Sequence, residues 1–291
     1  MRATTSWGGR AASNETVAVL RQWERPGDCA WQLHAGDVGW HLRRDDDEVD
    51  GSLLQVREDG MLLAVGLLDG PGLVRLALDP DRLQDAGLAA VLADAVEDRL
   101  GRPGSAEGYV EGPAAARWRA ELAGRGWDLD PDPWLHLWRP LGAGDASRQV
   151  PGVAPLSGPA DVADRVAVQR AAFAGSTFTE SRWAQMAGST AYEPRLDLLA
   201  RDGAGAPVAA LTAWTAGQGR CAVVEPMGTA AGHTRQGHGR RLLEGAAAAL
   251  ARAGASGVAV RTPADNTAAV AAYRSAGFSA VGLAADMCST A

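Results

Sequence analysis

Lysine and isoleucine are absent from this chain of 291 residues, and cysteine and tyrosine occur three times each. Without lysine the Gly-Lys-Ser/Thr of a Walker nucleotide loop cannot be built. Cys29, Cys221 and Cys288 have no metal-ligand spacing and leave an odd one out of any disulfide scheme, so reduced thiols and no metal are expected. No His or acid stands in motif spacing to activate them as acyl carriers. The first residues lack an apolar run of signal-peptide length, and no segment approaches the ~20 apolar residues of a membrane span. The expectation is a cytoplasmic protein with no membrane partner. Missing lysine and isoleucine beside abundant alanine, glycine and arginine is most simply a GC-rich coding sequence, which points to a high-GC bacterium.

What is present is unevenly distributed. The net charge of −7 argues against a general nucleic-acid binder. Residues 1–140 carry 15 arginines against 24 acids, a balance of −9, whereas residues 141–291 carry 13 arginines against 11 acids, a balance of +2. The length suffices for two ordinary domains. A Pro/Gly/Ser-rich stretch from Pro140 to Pro159 interrupts the patterning and reads as a connector. Domains at 1–140 and 159–291, joined by a linker at 141–158, are therefore expected.

The positive half carries the motif that points to chemistry. A strand-like run ends at Thr229, a turn holds Thr234-Arg235-Gln236-Gly237-His238-Gly239, and a helix starts at once with Arg240 and Arg241. Glycines let backbone approach a pyrophosphate, first-turn N–H groups point at it, and the helix dipole adds partial positive charge. A dinucleotide fold would want this fingerprint near the start of a βαβ unit, with an acid about 20 residues on. Here the motif is late, and Glu244 falls inside the helix.

The arrangement resembles the GNAT superfamily of acetyl-CoA-dependent N-acetyltransferases, whose R/Q-x-x-G-x-G/A loop holds the coenzyme's pyrophosphate. Asn266, Tyr273 and Gly277-Phe278 follow at the family's spacing, and the resemblance covers essentially the whole second half. Thr234 departs from the family's Arg or Gln. The resemblance implies acetyl-CoA as co-substrate, held by Met227, Gly228 and Thr229 along the pantetheine arm and by the loop from Thr234 to Arg240. Asn266 reads both as a helix N-cap and as a further pantetheine contact.

In the same resemblance Tyr273 protonates the departing thiolate, a task suited to a phenol with a pKa of about 10. Glu225 shares a strand face with Met227 and Thr229 and is the candidate base. Phe178, Tyr192 and Trp214 are the aromatics set down for an acceptor pocket, while Phe173 and Trp183 read equally as core.

The first half repeats the second. Gly87 against Gly237, and Gly126-Trp127 against Gly277-Phe278, give offsets of 150 and 151 residues. Gln84-x-x-Gly87-x-Ala89 fits the loop pattern by letter, but Asp79, Asp81 and Asp85 crowd it, and Leu122 stands where Tyr273 stands in the second half. The expected fold is α/β (α+β): two tandem GNAT-like domains, each a mixed, mostly antiparallel sheet flanked by helices, the first degenerate. The expected function is N-acetylation of an amine on a small molecule, one of cationic character given the acidic first half. Antibiotic modification or self-resistance and mycothiol-type metabolism both stay open. An inactive acyl-CoA sensor or scaffold is the alternative.

Overall fold

A computed structural model of the chain describes residues 3–27, 32–105 and 107–290. Cys29 lies outside the described residues. Two seven-stranded sheets stand side by side. The first half contributes β1 (Thr4–Gly8), α1 (Ser13–Trp23), α2 (Ala35–His41), α3 (Asp46–Val49), β2 (Leu53–Glu58), β3 (Met61–Leu68), β4 (Leu73–Leu78), α4 (Ala86–Leu100), β5 (Gly108–Glu111), α5 (Trp118–Gly124), β6 (Asp128–Leu129) and β7 (Trp134–Pro140). The second contributes α6 (Ala143–Ala146), β8 (Val153–Pro155), α7 (Pro159–Ala172), α8 (Glu180–Ala187), β9 (Asp197–Arg201), β10 (Pro207–Thr215), β11 (Cys221–Thr229), α9 (His238–Arg252), β12 (Gly257–Pro263), α10 (Thr267–Ser275), β13 (Ser279–Ala284) and β14 (Met287–Ser289).

The sheets run β1-β2-β3-β4-β5-β14-β6 and β8-β9-β10-β11-β12-β7-β13. Each is antiparallel except for one parallel pair, β4 with β5 and β11 with β12, which the long helices α4 and α9 bridge as crossovers. The sixth place in each sheet is filled from the other end of the chain. β7 lies between β12, with which it pairs from Trp134 to Pro140, and β13, with which it pairs from Trp134 to Trp138, and β14 lies between β5 and β6. A cut at residue 140 therefore parts a strand from its sheet, and the stretch expected as linker holds α6 and the first strand of the second sheet, β8. The apolar alternation of Trp134–Pro140 announces a strand, but nothing in it says which sheet the strand will join. Its seat is specific: a Cβ at Gly257 would come within 2.3 Å of the Trp138 indole, so only glycine lets that ring lie across β12.

Three large apolar cores stand out among the described residues. One sits under α4 and α5, around Leu76, Leu92, Val96, Trp118 and Trp127, and a second sits under α9, around Leu211, Leu242, Leu250 and Phe278. The third joins the halves: Val17 and Leu20 of α1, Val38 of α2 and Leu42 just after it pack with Met186, Ala191 and Trp214. α2 meets Trp214 through Gly36 and Gly39, where added Cβ atoms would come to 2.4 and 2.5 Å from the ring. Two glycines cost a short helix propensity. Its N-terminus offsets this with a reciprocal cap, in which His34 Nδ1 accepts from Gly36 N–H and Asp37 accepts from His34 N–H. Among the described residues no helix is long and apolar enough to cross a membrane.

Candidate active site

The loop after β11 turns through Gly237, whose φ of +82° is left-handed, and α9 begins at the next residue. No side chain caps this helix, so its first-turn N–H groups are free, and a Cβ at Gly237 would meet nothing within 4 Å. This is an open anion seat at a helix start. Gly239 is held for another reason: its Cβ would stand 3.0 Å from Met227 Cε, so α9 packs directly on β11. Thr234 and Gln236 brace the loop by donating to the Ala231 and Gly232 carbonyls. Arg240 donates to Glu244 at 2.9 Å and Arg241 to the Pro151 carbonyl, which leaves Arg235 without an ion-pair partner among the described residues. His238 is buried beneath the loop against His233.

The matching loop in the first half is closed by its own side chain. Asp85 caps α4 by accepting from Gly87 and Leu88 N–H at 2.9 and 3.0 Å, so the groups that would hold a phosphate are taken. These bonds also hold the Asp85 carboxyl below its ordinary range.

A second difference lies in the strands. β11 pairs with β12 only from Cys221 to Val223 and then splays away. Because the Ala230 N–H bonds to Val208 of β10, the alternation of the ladder turns the backbone groups of Met227 and Thr229 into the gap. Leu76 and Leu78 stand 151 residues earlier at the equivalent gap between β4 and β5. There the chain fills the slot itself: Leu33 N–H donates to the Leu76 carbonyl, and Leu78 N–H donates to the Gln32 side chain, each at 3.2 Å.

Glu225, Met227 and Tyr273 line a cavity of about 350 Å³ between the two sheets, and the first half supplies Asp37, Asp69, Arg75 and Glu111 to the same cavity. Arg75 is its hub, at 3.1 Å from Asp37, 3.5 Å from Asp69, 3.0 Å from Glu111 and 3.9 Å from Glu225. Arg261 from β12 pairs with Glu111 on the far side. Burial and the adjacent Asp37 carboxylate push the Glu225 carboxyl well above the usual range. Burial acts on Asp37 in the same sense, but the Arg75 charge and a hydrogen bond with Glu225 outweigh it and hold Asp37 low. Burial, with a smaller effect of Glu225, raises the Tyr273 phenol to about 12. A raised acid, a lowered acid and a protonated phenol in one cavity are the groups of proton-transfer chemistry.

The structure gathers Glu225, Met227 and Tyr273 as the sequence anticipates, and places Asn266 at the exposed N-cap of α10, accepting from Ala269 N–H at 3.1 Å. Two of the aromatics belong elsewhere. Trp214 is 1% exposed in the core between the halves and donates to the Glu225 carbonyl, so it positions that strand and does not face the cavity. Tyr192 and Trp183 both donate to Asp197, which also forms a fully buried pair with Arg165. Phe178 keeps a place by the site, in a neighbouring hollow whose wall includes Glu225 and Pro226. Phe173 lines both spaces. The acidic and arginine residues of the first half went unforeseen one by one. Their only trace in the sequence is the −9 balance.

A helix start left open to anions lies beside a splayed parallel strand pair and opens on a cavity with an acid and a phenol, features that suit an acyl-CoA-using transferase. Residues 168–278, which carry the loop, the splayed strand and Tyr273, match the family model described as Acetyltransferase (GNAT) family. No curated protein matches the chain by sequence. Among solved structures, an acetyltransferase from the GNAT family of Colwellia psychrerythraea is 14% identical with a TM-score of 0.60, each chain covered over 100% of its length. A GCN5-related N-acetyltransferase from Sphaerobacter thermophilus is 18% identical at 0.55, covering 99% of this chain and 95% of that one. A tandem GNAT protein from the clavulanic acid biosynthesis pathway is 16% identical at 0.54, with 98% of both covered. These likenesses show the fold over the whole length, both halves included.

Proposed function

We propose that the protein transfers an acetyl group from acetyl-CoA to the amine of a small molecule, with one coenzyme site per chain, in the second half. The observation that carries the single site is the contrast between the loops: Gly237 leaves the α9 N–H groups free, whereas Asp85 occupies those of α4 and the chain at Gln32 and Leu33 fills the first gap. The pyrophosphate then rests on the loop from Thr234 to Gly239, Arg235 adds charge, and the pantetheine arm pairs with Met227 and Thr229.

The amine reaches Glu225 and gives up its proton there, directly or through water. Its nitrogen bonds to the thioester carbonyl carbon, the carbon–sulfur bond breaks as Tyr273 protonates the sulfur, and the second proton shed by the nitrogen restores the phenol. No covalent enzyme intermediate is needed. The carboxylates Asp37, Asp69 and Glu111 around the cavity favour an acceptor that arrives as an ammonium ion.

The test is coenzyme release from acetyl-CoA over a panel of small amines, with calorimetry of coenzyme binding. Gly237→Val should abolish binding and Gly87→Val should leave one site. Two equivalent sites would refute the assignment, and tight binding with no turnover across the panel would favour an acyl-CoA sensor.

A further inference from the structure

On the other side of Glu225 and Pro226 lies a second hollow of about 420 Å³, formed by α2, α8 and the loop between α7 and α8. It shares Phe173, Glu225 and Pro226 with the catalytic cavity, so the two spaces adjoin at the candidate base. Two of its walls are aromatic: Trp40 and Phe178 have ring centroids 5.4 Å apart. Two arginines face it, and they differ in kind. Arg182 is committed to Glu48 at 2.9 Å and to Asp45 at 3.5 Å. Arg43 lies 4.0 Å over the Trp40 ring and donates to the Trp40 carbonyl, but among the described residues no carboxylate forms an ion pair with it.

Asp69 and Glu225 act on the Arg43 charge from farther off, but no described carboxylate lies within ion-pair distance, so an anion entering the hollow can pair with Arg43 directly. Its neighbour Arg44 is paired with Asp69 at 3.2 Å, so the shortage is local to Arg43. Burial pulls the Arg43 pKa down to about 10, which still leaves it charged at neutral pH. Hydroxyls from Ser176 and Thr177 line the same hollow and can donate to an oxygen anion beside it.

Resting on the acetyltransferase reading, we infer that this hollow is the acceptor's second subsite, that Arg43 binds a carboxylate there, and that the acceptor is a zwitterion with its amine at Glu225 and an apolar body against Trp40 and Phe178. The arrangement sorts charge along the substrate. Acids of the first cavity meet the ammonium end, Arg43 meets the anionic end, and the wall at Phe173 and Pro226 lies between them. A polyamine, positive at both ends, would place a cation against Arg43 and is disfavoured.

The experiment uses ω-aminocarboxylates of increasing chain length, from 3-aminopropionate to 8-aminooctanoate, against n-alkylamines of equal carbon number. Coenzyme release is followed for wild type, R43Q and R43K, and ligand-observed NMR of the same compounds on the coenzyme-loaded protein reports binding without need of turnover. At the best length the carboxylate should be preferred by about 10- to 100-fold, the range of one charge-assisted contact. R43Q should bring that ratio close to one, and R43K should restore part of it, which a merely structural role for Arg43 would not do. The inference is overturned if no length shows a carboxylate preference in turnover or binding, or if R43Q leaves the preference intact. Absence of coenzyme binding and of all amine turnover would fault the acetyltransferase reading instead, and the same NMR measurement on the coenzyme-free protein would still decide whether Arg43 holds the carboxylate.

Discussion

Tyr273, the acid we propose for the departing thiolate, lies in an environment that keeps its proton in place. With its pKa raised to about 12, the phenol stays protonated through any ordinary assay. Tyr273→Phe keeps the ring against Phe278, with centroids 5.6 Å apart, and removes only the hydroxyl. We expect kcat to fall roughly 10²-fold or more while melting temperature and coenzyme affinity hold; an unchanged kcat under chemistry-limited conditions would take Tyr273 out of the mechanism. As the proposed base, Glu225 should govern the acidic side. A base works once deprotonated, so its raised pKa moves the rising limb of kcat/KM toward neutral pH. Asp37 is one cause of that rise, and D37N should shift the limb to lower pH. An arylamine acceptor, neutral above about pH 5, separates this limb from the titration of the amine itself. A limb that stays put in D37N would break the link between the two carboxyls.

At the scale of elements, α2 ties stability to a proton. His34 caps this helix through an unprotonated Nδ1, and burial holds its pKa at about 4 against an ordinary value of 6.5. Between those values the unfolded chain binds a proton that the folded chain refuses. The contribution is therefore complete above about pH 6.5 and is lost as pH falls toward 4, up to roughly 3 kcal/mol for this side chain. His136, buried in β7 with its pKa also near 4, adds in the same sense. Thermal melts from pH 7.5 to 4.5 should show this decline, and H34N, whose amide can still accept the capping bond, should flatten it. Equal slopes in both proteins would place the acid sensitivity elsewhere. The elements themselves were largely legible in the sequence. β11 ends at Thr229 and Asn266 caps α10, where the residues put them, and the α9 loop announced itself by its glycines. The cavity was legible on one side only. Arg75 meets Glu225 across 150 positions and Asp37 across 38, separations at which no local spacing rule operates. Trp214 was misplaced for a related reason: strand alternation gives a face, but two helix glycines far upstream decide that this face is covered.

For the whole molecule the exchange of β7 and β14 is the governing fact, because it makes each sheet depend on chain from the other half. β7 is central in the second sheet: Leu137 is fully buried there, and β13 pairs with no other strand among the described residues. A fragment of residues 141–291 would keep the coenzyme loop, the splayed strands and Tyr273, yet it would open an unpaired edge on β12 and leave β13 without a partner. A fragment of residues 134–291 differs by seven residues at its start and restores both ladders. We therefore expect the 134–291 fragment to be the more stable of the two by roughly 10 °C or more in melting temperature, since several kcal/mol of burial and strand pairing separate them. Neither should match the full chain, because both lose the core that Trp214 and Met186 share with α1 and α2. The cavity should respond differently. Coenzyme binding can survive in the 134–291 fragment, whose loop is intact, while turnover should be lost with Asp37, Asp69 and Arg75. Calorimetry of the coenzyme and an amine-acetylation assay on both fragments and the full chain check this. Equal melting temperatures for the two fragments would mean that the second sheet closes without β7, and full activity in the 134–291 fragment would mean that the first half takes no part in the chemistry.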